Sequence, residues 1–252
     1  MRQSIWDGRS QLIVAVGQGE KVEIWQLTPS SKDWRRLILP ADLLLAIGQS
    51  YGSYRAGAIV GLDGLEKKQG RLMQIGMQEA LGIGVDGYVV GAHESWLKIL
   101  VGKVNGQVMT NLSWWDIARL IGQGGRVTEE RLEQVINLER GSLPDGGGVQ
   151  LLSEGEFDRL AQSRFMDEQM RQEGLKIAIL NATDHTGLGG RVERVVTNMG
   201  GMVVKVGQTE KQEQSRLIVR PGVNKNLRTV NWLKKLVAAV KVEVGDTLEQ
   251  RA

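Results

Sequence analysis

The chain holds two imidazoles, His93 and His185, and no cysteine. A disulfide and a thiolate zinc site are therefore excluded. The two histidines lie far apart in sequence with no third ligand at metal-binding spacing. Each reads as structural, His93 at a helix start and His185 in a loop. The stretch Thr183 to Gly190 (TDHTGLGG) runs into a helix and could turn backbone N–H groups toward an anion. Its glycines, Gly187, Gly189 and Gly190, lack the spacing of a dinucleotide fingerprint, and no P-loop lysine follows. The plainer expectation is a turn with Asp184 or Thr186 as the N-cap. Trp114 and Trp115 could stack on a sugar ring. Neighbours on a helix point about 100° apart, so one indole is expected in the core and the other half-exposed. No serine nucleophile elbow, zinc motif or closely paired catalytic carboxylates are visible.

Those residues must be positioned by a chain of 252 residues, long enough for two domains. Hydrophobic residues make up 41% and charged residues 24%, as in globular proteins. The net charge is +3 with no run of Lys and Arg, which argues against a nucleic-acid tract or a polybasic membrane segment. No stretch reaches the roughly 18 apolar residues of a membrane span, and no signal peptide is visible. An anchor, if one exists, is expected outside this sequence. Seven tryptophans stand against two phenylalanines, and composition alone offers no reason for it.

Gln11–Val16, Lys21–Leu27 and Trp34–Leu39 read as three strands, with turns at 17–20 and 29–33 and an end at Pro40-Ala41-Asp42. Gln49–Tyr54 reads as a loop. Gly64–Leu81 reads as a helix stopped by Gly82, with Met73, Met77, Ala80 and Leu81 on one face. Val85–Val90 is a strand. Glu94–Val104 reads as a helix with Leu97, Leu100, Val101 and Val104 inward. Ser113 and Asp116 form a capping box for a helix that buries Ile117, Leu120 and Ile121. Thr128 is expected to open a helix carrying Leu132, Val135 and Ile136. Gly141–Gln150 (GSLPDGGGVQ) reads as a domain junction, and Ser153–Met170 as a connecting helix.

The C-terminal pattern is sharper. Ile177 and Ile179 lie on a strand. Leu188, Val192, Val195, Val196 and Met199 make one helical face, and Gly200-Gly201 stops it. Val203, Val204 and Val206 form a second strand. Arg216–Arg220, Asn226–Val240 and Lys241–Val244 repeat strand, helix and strand. The order β-α-β-β-α-β is expected to build a small sheet with helices on one face.

Within this stretch Ile179-Leu180-Asn181-Ala182-Thr183, Gly187-Leu188-Gly189 and Gly200 resemble the LytR C-terminal domain. That family shows a strand ending in V-L-N-G/A-T, then G-L-A/G, an amphipathic helix and a glycine stop. Upstream, LIVAVGQ, VEIWQLTPSSKDWRRLILPADLLLAI, YGSYRAGAIVG and LGIGVDGYVV follow the order of the front half of a LytR-CpsA-Psr domain, and MTNLSWWDIARLI resembles a later segment. The resemblance implies an α/β fold of two domains. A reduced LytR-CpsA-Psr-like domain spans 1–145, a connector 146–171, a LytR C-terminal-like domain 172–246 and a tail 247–252. It also implies a folded part outside the cell, held through a membrane anchor, and transfer of glycopolymers from a polyprenyl pyrophosphate carrier to the wall.

That chemistry needs arginines to grip a pyrophosphate and carboxylates to hold Mg²⁺. Most of the family's groups are replaced here. Ala41 stands where S-I-P-R-D has its arginine, and Gln18 where the first strand ends in an acid. Lys21 lies near a second expected acid. Gly57, or Ala56 in a slipped register, replaces the asparagine of K-x-N-A-A. Asp42 and Arg55 remain, and with Arg36 they are the candidate phosphate-binding residues. No catalytic residue and no metal ligand is assigned, and Mg²⁺ is expected only for an active enzyme.

Three functions follow as expectations. One is a non-catalytic cell-envelope protein that binds a wall polymer, an isoprenoid carrier or an envelope protein. A second is an Mg²⁺-dependent glycopolymer transferase using Asp42 and Arg55. The third is an intracellular protein-interaction module. No nucleic-acid partner is expected.

Overall fold

The computed structural model describes residues 4–47, 52–66, 70–91, 95–238 and 242–245. The chain divides into two compact units, 1–163 and 164–252.

Unit 1 begins with three antiparallel strands, β1 (Leu12–Gln18), β2 (Lys21–Thr28) and β3 (Asp33–Leu39). β1 is a near-continuous apolar run, which suits a strand buried on both faces, and β2 is buried on both faces as well although it carries Glu23 and Gln26. A two-residue turn joins them, with Gly19 at a φ of 58° that favours glycine. There follow β4 (Leu43–Ile47), β5 (Gly52–Arg55), α1 (Ala56–Leu65), α2 (Arg71–Leu81), β6 (Gly87–Val90) and α3 (Trp96–Val104). After them come β7 (Met109–Thr110), α4 (Trp114–Gly122), β8 (Val127–Arg131), a single turn α5 (Leu132–Val135), β9 (Glu139–Ser142), β10 (Gly148–Leu151) and α6 (Glu154–Arg164).

Two sheets result, a six-stranded one in the order β7-β6-β1-β2-β3-β8 and a four-stranded one in the order β5-β4-β10-β9. One face of the larger sheet packs on α3 and α4. Trp25 and Trp34 of the sheet meet Trp96 of α3, with ring centroids 5.1 and 5.3 Å from Trp96. These indoles, with the buried Trp6, account for four of the seven tryptophans. On the other face Met73 of α2 lies over Gly17 of β1, and Gly76 of α2 approaches Ile47 of β4, so α2 stands between the two sheets. Asp63, fully buried at the end of α1, holds the start of α2. Its carboxylate accepts the amides of Gly70, of Leu72 (2.8 Å) and of Met73 (3.4 Å).

Several expected elements are corrected. Pro40-Ala41-Asp42 ends β3 but opens β4 at once. The expected loop yields β5 over 52–55, while residues 48–51 lie outside the described ones. The helix over 64–81 is two helices, α1 and α2. Residues 127–131 pair with β3 as an edge strand, so the expected helix shrinks to one turn. The glycine-rich junction is a hairpin, β9 and β10. The connecting helix expected over 153–170 is not continuous, since α6 ends at Arg164 and a second helix begins at Glu168. On α3 the inward residues are Trp96, Ile99 and Leu100, whereas Leu97, Val101 and Val104 face out. Apart from Lys98 and Lys103 the helix is apolar, so its pattern leaves more than one face able to turn inward, and the Trp25–Trp96 contact sets its rotation.

Unit 2 comprises α7 (Glu168–Glu173), β11 (Lys176–Asn181), α8 (Leu188–Asn198), β12 (Met202–Gln208), β13 (Leu217–Val219), α9 (Arg228–Leu236) and β14 (Val242–Val244). The order β-α-β-β-α-β is present. Among the described residues, however, the strands pair as two parallel ladders, β11 with β12 and β13 with β14, and not as one sheet. A bulge between Ile177 and Ala178 interrupts the first ladder.

Candidate functional site

The residues that matter most in the sequence gather where β1 and β2 turn and where β4 starts. The amide of Gly57 donates to the carbonyl of Ala41 (2.9 Å), which ties the start of α1 to the turn before β4. A β-carbon on Gly57 would lie 3.1 Å from both the Cβ and the carbonyl oxygen of Glu20, and 3.2 Å from the Cβ of Ala41. The position therefore has no room for a side chain unless its neighbours shift. Just below, a β-carbon on Gly17 would stand 2.6 Å from Val60 Cγ2 and 2.8 Å from Met73 Sδ. Met73 is fully buried. Side chains of α1 and α2 thus fill the space over the end of β1, next to Gln18.

Asp42 and Arg55 both engage β10. The Asp42 carboxylate accepts the side-chain amide of Gln150 at 3.0 Å, and its carbonyl accepts the Gln150 backbone amide at 3.0 Å. Arg55 donates from Nη2 to the carbonyl of Gly148 (3.3 Å) and lies against Gly147. Its Nε is buried with no hydrogen-bond partner. Arg36 is elsewhere, on the six-stranded sheet. Its guanidinium sits over the Trp25 ring, 4.2 Å from the centroid, and pairs with Glu129 at 3.0 Å. The structure brings Asp42 and Arg55 to one strand and places Arg36 on another sheet.

Two buried acids escaped the sequence reading. Glu23 on β2 is almost fully buried and accepts the indole N–H of Trp25. Its only signal is a charge inside an apolar run. Asp63 is equally buried and serves the start of α2. Asp116, expected as a capping residue, does more. It completes the box with Ser113, and it accepts the Ser4 hydroxyl and the amides of Ile5 (3.2 Å) and Trp6 (3.3 Å). Burial pushes its carboxyl up. The Ser4 and Ser113 hydroxyls and the Ser113 and Ile5 amides outweigh that and hold it below the ordinary carboxylate value.

The remaining candidates are placed as follows. Trp114 and Trp115 are both exposed, 47% and 70%, so neither is the expected core indole, and Ile121 of the same helix is exposed as well. The loop before α8 is a turn in which Asn181 accepts the Thr183 amide (3.0 Å) and donates to the His185 carbonyl (2.9 Å). Its N-cap is Gly187 at a φ of 79°, with no side-chain cap, instead of Asp184 or Thr186. Asp184 pairs with Lys211. His93 lies outside the described residues. Among the described residues no three His, Asp or Glu side chains group as metal ligands, and no helix is long and apolar enough to cross a membrane.

No protein-family profile and no curated protein matches the chain. Solved structures do. TagT of B. subtilis has a TM-score of 0.46 and 11% identity, over 64% of this chain and 91% of that one. The LytR-CPS2A-psr family protein YwtF (TagT) with bound octaprenyl pyrophosphate lipid has a TM-score of 0.43 and 13% identity, over 64% and 93%. The chain is similar to LytR-CPS2A-psr family proteins. Another similar structure is protein gbs0355 from Streptococcus agalactiae, with a TM-score of 0.46 and 12% identity over 60% and 85%. The chain is of the α/β class, as the strands and helices above show.

Proposed function

We propose that this chain is a non-catalytic protein of the cell envelope, built on a LytR-CpsA-Psr-like scaffold. It binds a wall polymer, an isoprenoid carrier or an envelope protein. One observation carries the reading. The position read as the motif asparagine is Gly57, whose added β-carbon would lie 3.1–3.2 Å from Glu20 and Ala41, or Ala56 in a slipped register, which is fully buried, and Ala41 stands in place of the motif arginine. A pyrophosphate there would meet a methyl group and backbone where the family pattern supplies an arginine and an amide. The matched acid after β1 is Gln18, so a divalent cation would also find one fewer charge. Residues 172–246 are read as a LytR C-terminal-like domain on the Ile179–Thr183 and Gly187–Gly189 motifs. This reading has the folded part act outside the cytoplasm.

A second reading has its own observation. Asp42 and Arg55 share β10, and the buried Nε of Arg55 has no hydrogen-bond partner. A phosphate oxygen would satisfy that donor, and Asp42 with the substrate's own phosphates would hold Mg²⁺, as a transferase requires. A transfer assay separates the two. Lipid-linked glycopolymer and wall acceptor are incubated with the protein and Mg²⁺. The scaffold reading expects no release of polyprenyl phosphate above the protein-free control. Release that Arg55→Ala abolishes would establish the transferase.

A further inference from the structure

We propose that the outer face of α3 and α4 seats unit 1 on an anionic lipid surface. Leu97, Val101 and Val104 recur at the i, i+4, i+7 spacing of one helical stripe and are 59%, 52% and 67% exposed. Trp114, Ala118 and Ile121 repeat that spacing on α4, and Trp115 beside them is 70% exposed. The two stripes are neighbours. Lys103 of α3 lies 5.4 Å from the centre of the Trp114 ring and donates to the carbonyl of Leu112, just ahead of α4. Single exposed apolar residues are ordinary, whereas six large ones on two packed helices make a patch that water does not favour.

Charge identifies the occupant. From Ser95 to Gly122 the charged residues are Lys98, Lys103, Asp116 and Arg119, and Asp116 is buried in its capping network. The acidic residue next in sequence, Glu94, precedes the Ser95 N-cap. The exposed charges of α3 and α4, Lys98 and Arg119, are thus both positive, and Lys103 between them is half-buried. Protein–protein interfaces are depleted in lysine, while a lipid headgroup layer favours this mixture of tryptophan, aliphatic side chains and flanking lysine. Tryptophan rings sit at headgroup level with their N–H in water. Lysine stems lie along the apolar surface and send their ammonium groups to lipid phosphates. Helices lying in the interface bury their apolar side by about 5–10 Å, within the reach of these side chains. This surface is separate from Asp42, Arg55 and the Gly57 turn, so it stands whether or not the chain is a transferase.

Co-sedimentation of the full chain with vesicles tests it. The wild type is expected to bind phosphatidylglycerol vesicles, to bind phosphatidylcholine vesicles weakly, and to lose part of the difference at high salt. The double variant Val101→Ser, Trp115→Ser is expected to bind about tenfold or more weakly, since apolar area drives interfacial partition. Lys98→Glu should reduce binding to phosphatidylglycerol, and Leu65→Ser, exposed but off this face, should change nothing. All these positions are exposed, so thermal unfolding reports whether each variant still folds. Absence of wild-type binding overturns the proposal, and so does undiminished binding by the double variant. Self-association of the wild type that the double variant abolishes, without vesicle binding, also overturns it and assigns the face to a second copy.

Discussion

Arg36 lies over the ring of Trp25, its guanidinium carbon 4.2 Å from the centroid, at positions directly opposite each other on β3 and β2. The same guanidinium reaches Glu129 on β8 at 3.0 Å, so this arginine fastens the edge strand to the sheet. Glu129 is more than half exposed, and its ion pair contributes little beyond about 0.5 kcal/mol. The stacking on a buried indole contributes more. Arg36→Ala is expected to destabilise unit 1 by about 1–2 kcal/mol in urea unfolding. Arg36→Lys should recover less than half, because an ammonium lacks the planar contact.

In unit 2, Arg228 donates from Nε to Asp167 at 2.7 Å, with both side chains about 95% buried, at 5% and 4% exposure. Asp167 also caps α7 through the amides of Gln169 and Met170. Glu173 in turn accepts the amides of Arg228 (2.7 Å) and Thr229 (2.8 Å) at the start of α9. Arg228→Met leaves a buried carboxylate without its counter-ion and should cost about 3–5 kcal/mol. Adding Asp167→Asn keeps a cap without the charge, so the double variant should be more stable than Arg228→Met alone. Calorimetric unfolding of the three proteins measures this.

The carboxyl of Asp116 gives unit 1 an acid-sensitive joint. Its folded pKa lies below the ordinary value, so the unfolded chain takes up the proton first. The stability it contributes is complete above an unfolded Asp pKa of about 3.9 and is lost as pH falls through that value and the lower folded one. Asp116→Asn is expected to reduce stability near neutral pH and to flatten the acid limb. Unfolding free energies of the two proteins should converge once the pH has fallen through the lowered folded value.

Gly57 gives the fourth prediction. A larger side chain at this position meets occupied space. Gly57→Asn pushes a side chain against Glu20 and Ala41 and should cost about 1–3 kcal/mol, the usual range for overpacking. Ala41→Arg faces less constraint, since Ala41 is itself exposed. It is expected to fold with stability within about 0.5 kcal/mol of wild type.

Much of the frame was readable in residues 11–39. The apolar runs and the turns at 17–20 and 29–33 specify β1, β2 and β3 by local pattern alone. The capping box at Ser113 and the helical face of α8 were readable for the same reason. What escaped is tertiary. β4, β9 and β10 are short, and Gly141–Gln150 carries the glycines of a loop while its backbone pairs with a distant strand. The rotation of α3 depends on Trp25 and Trp34, more than sixty positions upstream of Trp96 in numbering, which no window of local sequence contains. At the site, Gln18, Ala41 and Gly57 stood out in sequence as departures from the motifs the chain resembles. That Arg36 is engaged on another sheet, and that Val60 and Met73 fill the space above Gly17, required coordinates.

The central proposal is that this chain does not grip a pyrophosphate at the turn formed by Ala41 and Gly57. Calorimetric titration with a soluble prenyl pyrophosphate, with and without Mg²⁺, tests it most directly. The account predicts no Mg²⁺-dependent heat of binding up to millimolar ligand. Tight binding that requires Mg²⁺ and that Arg55→Ala weakens would contradict it and favour the transferase reading.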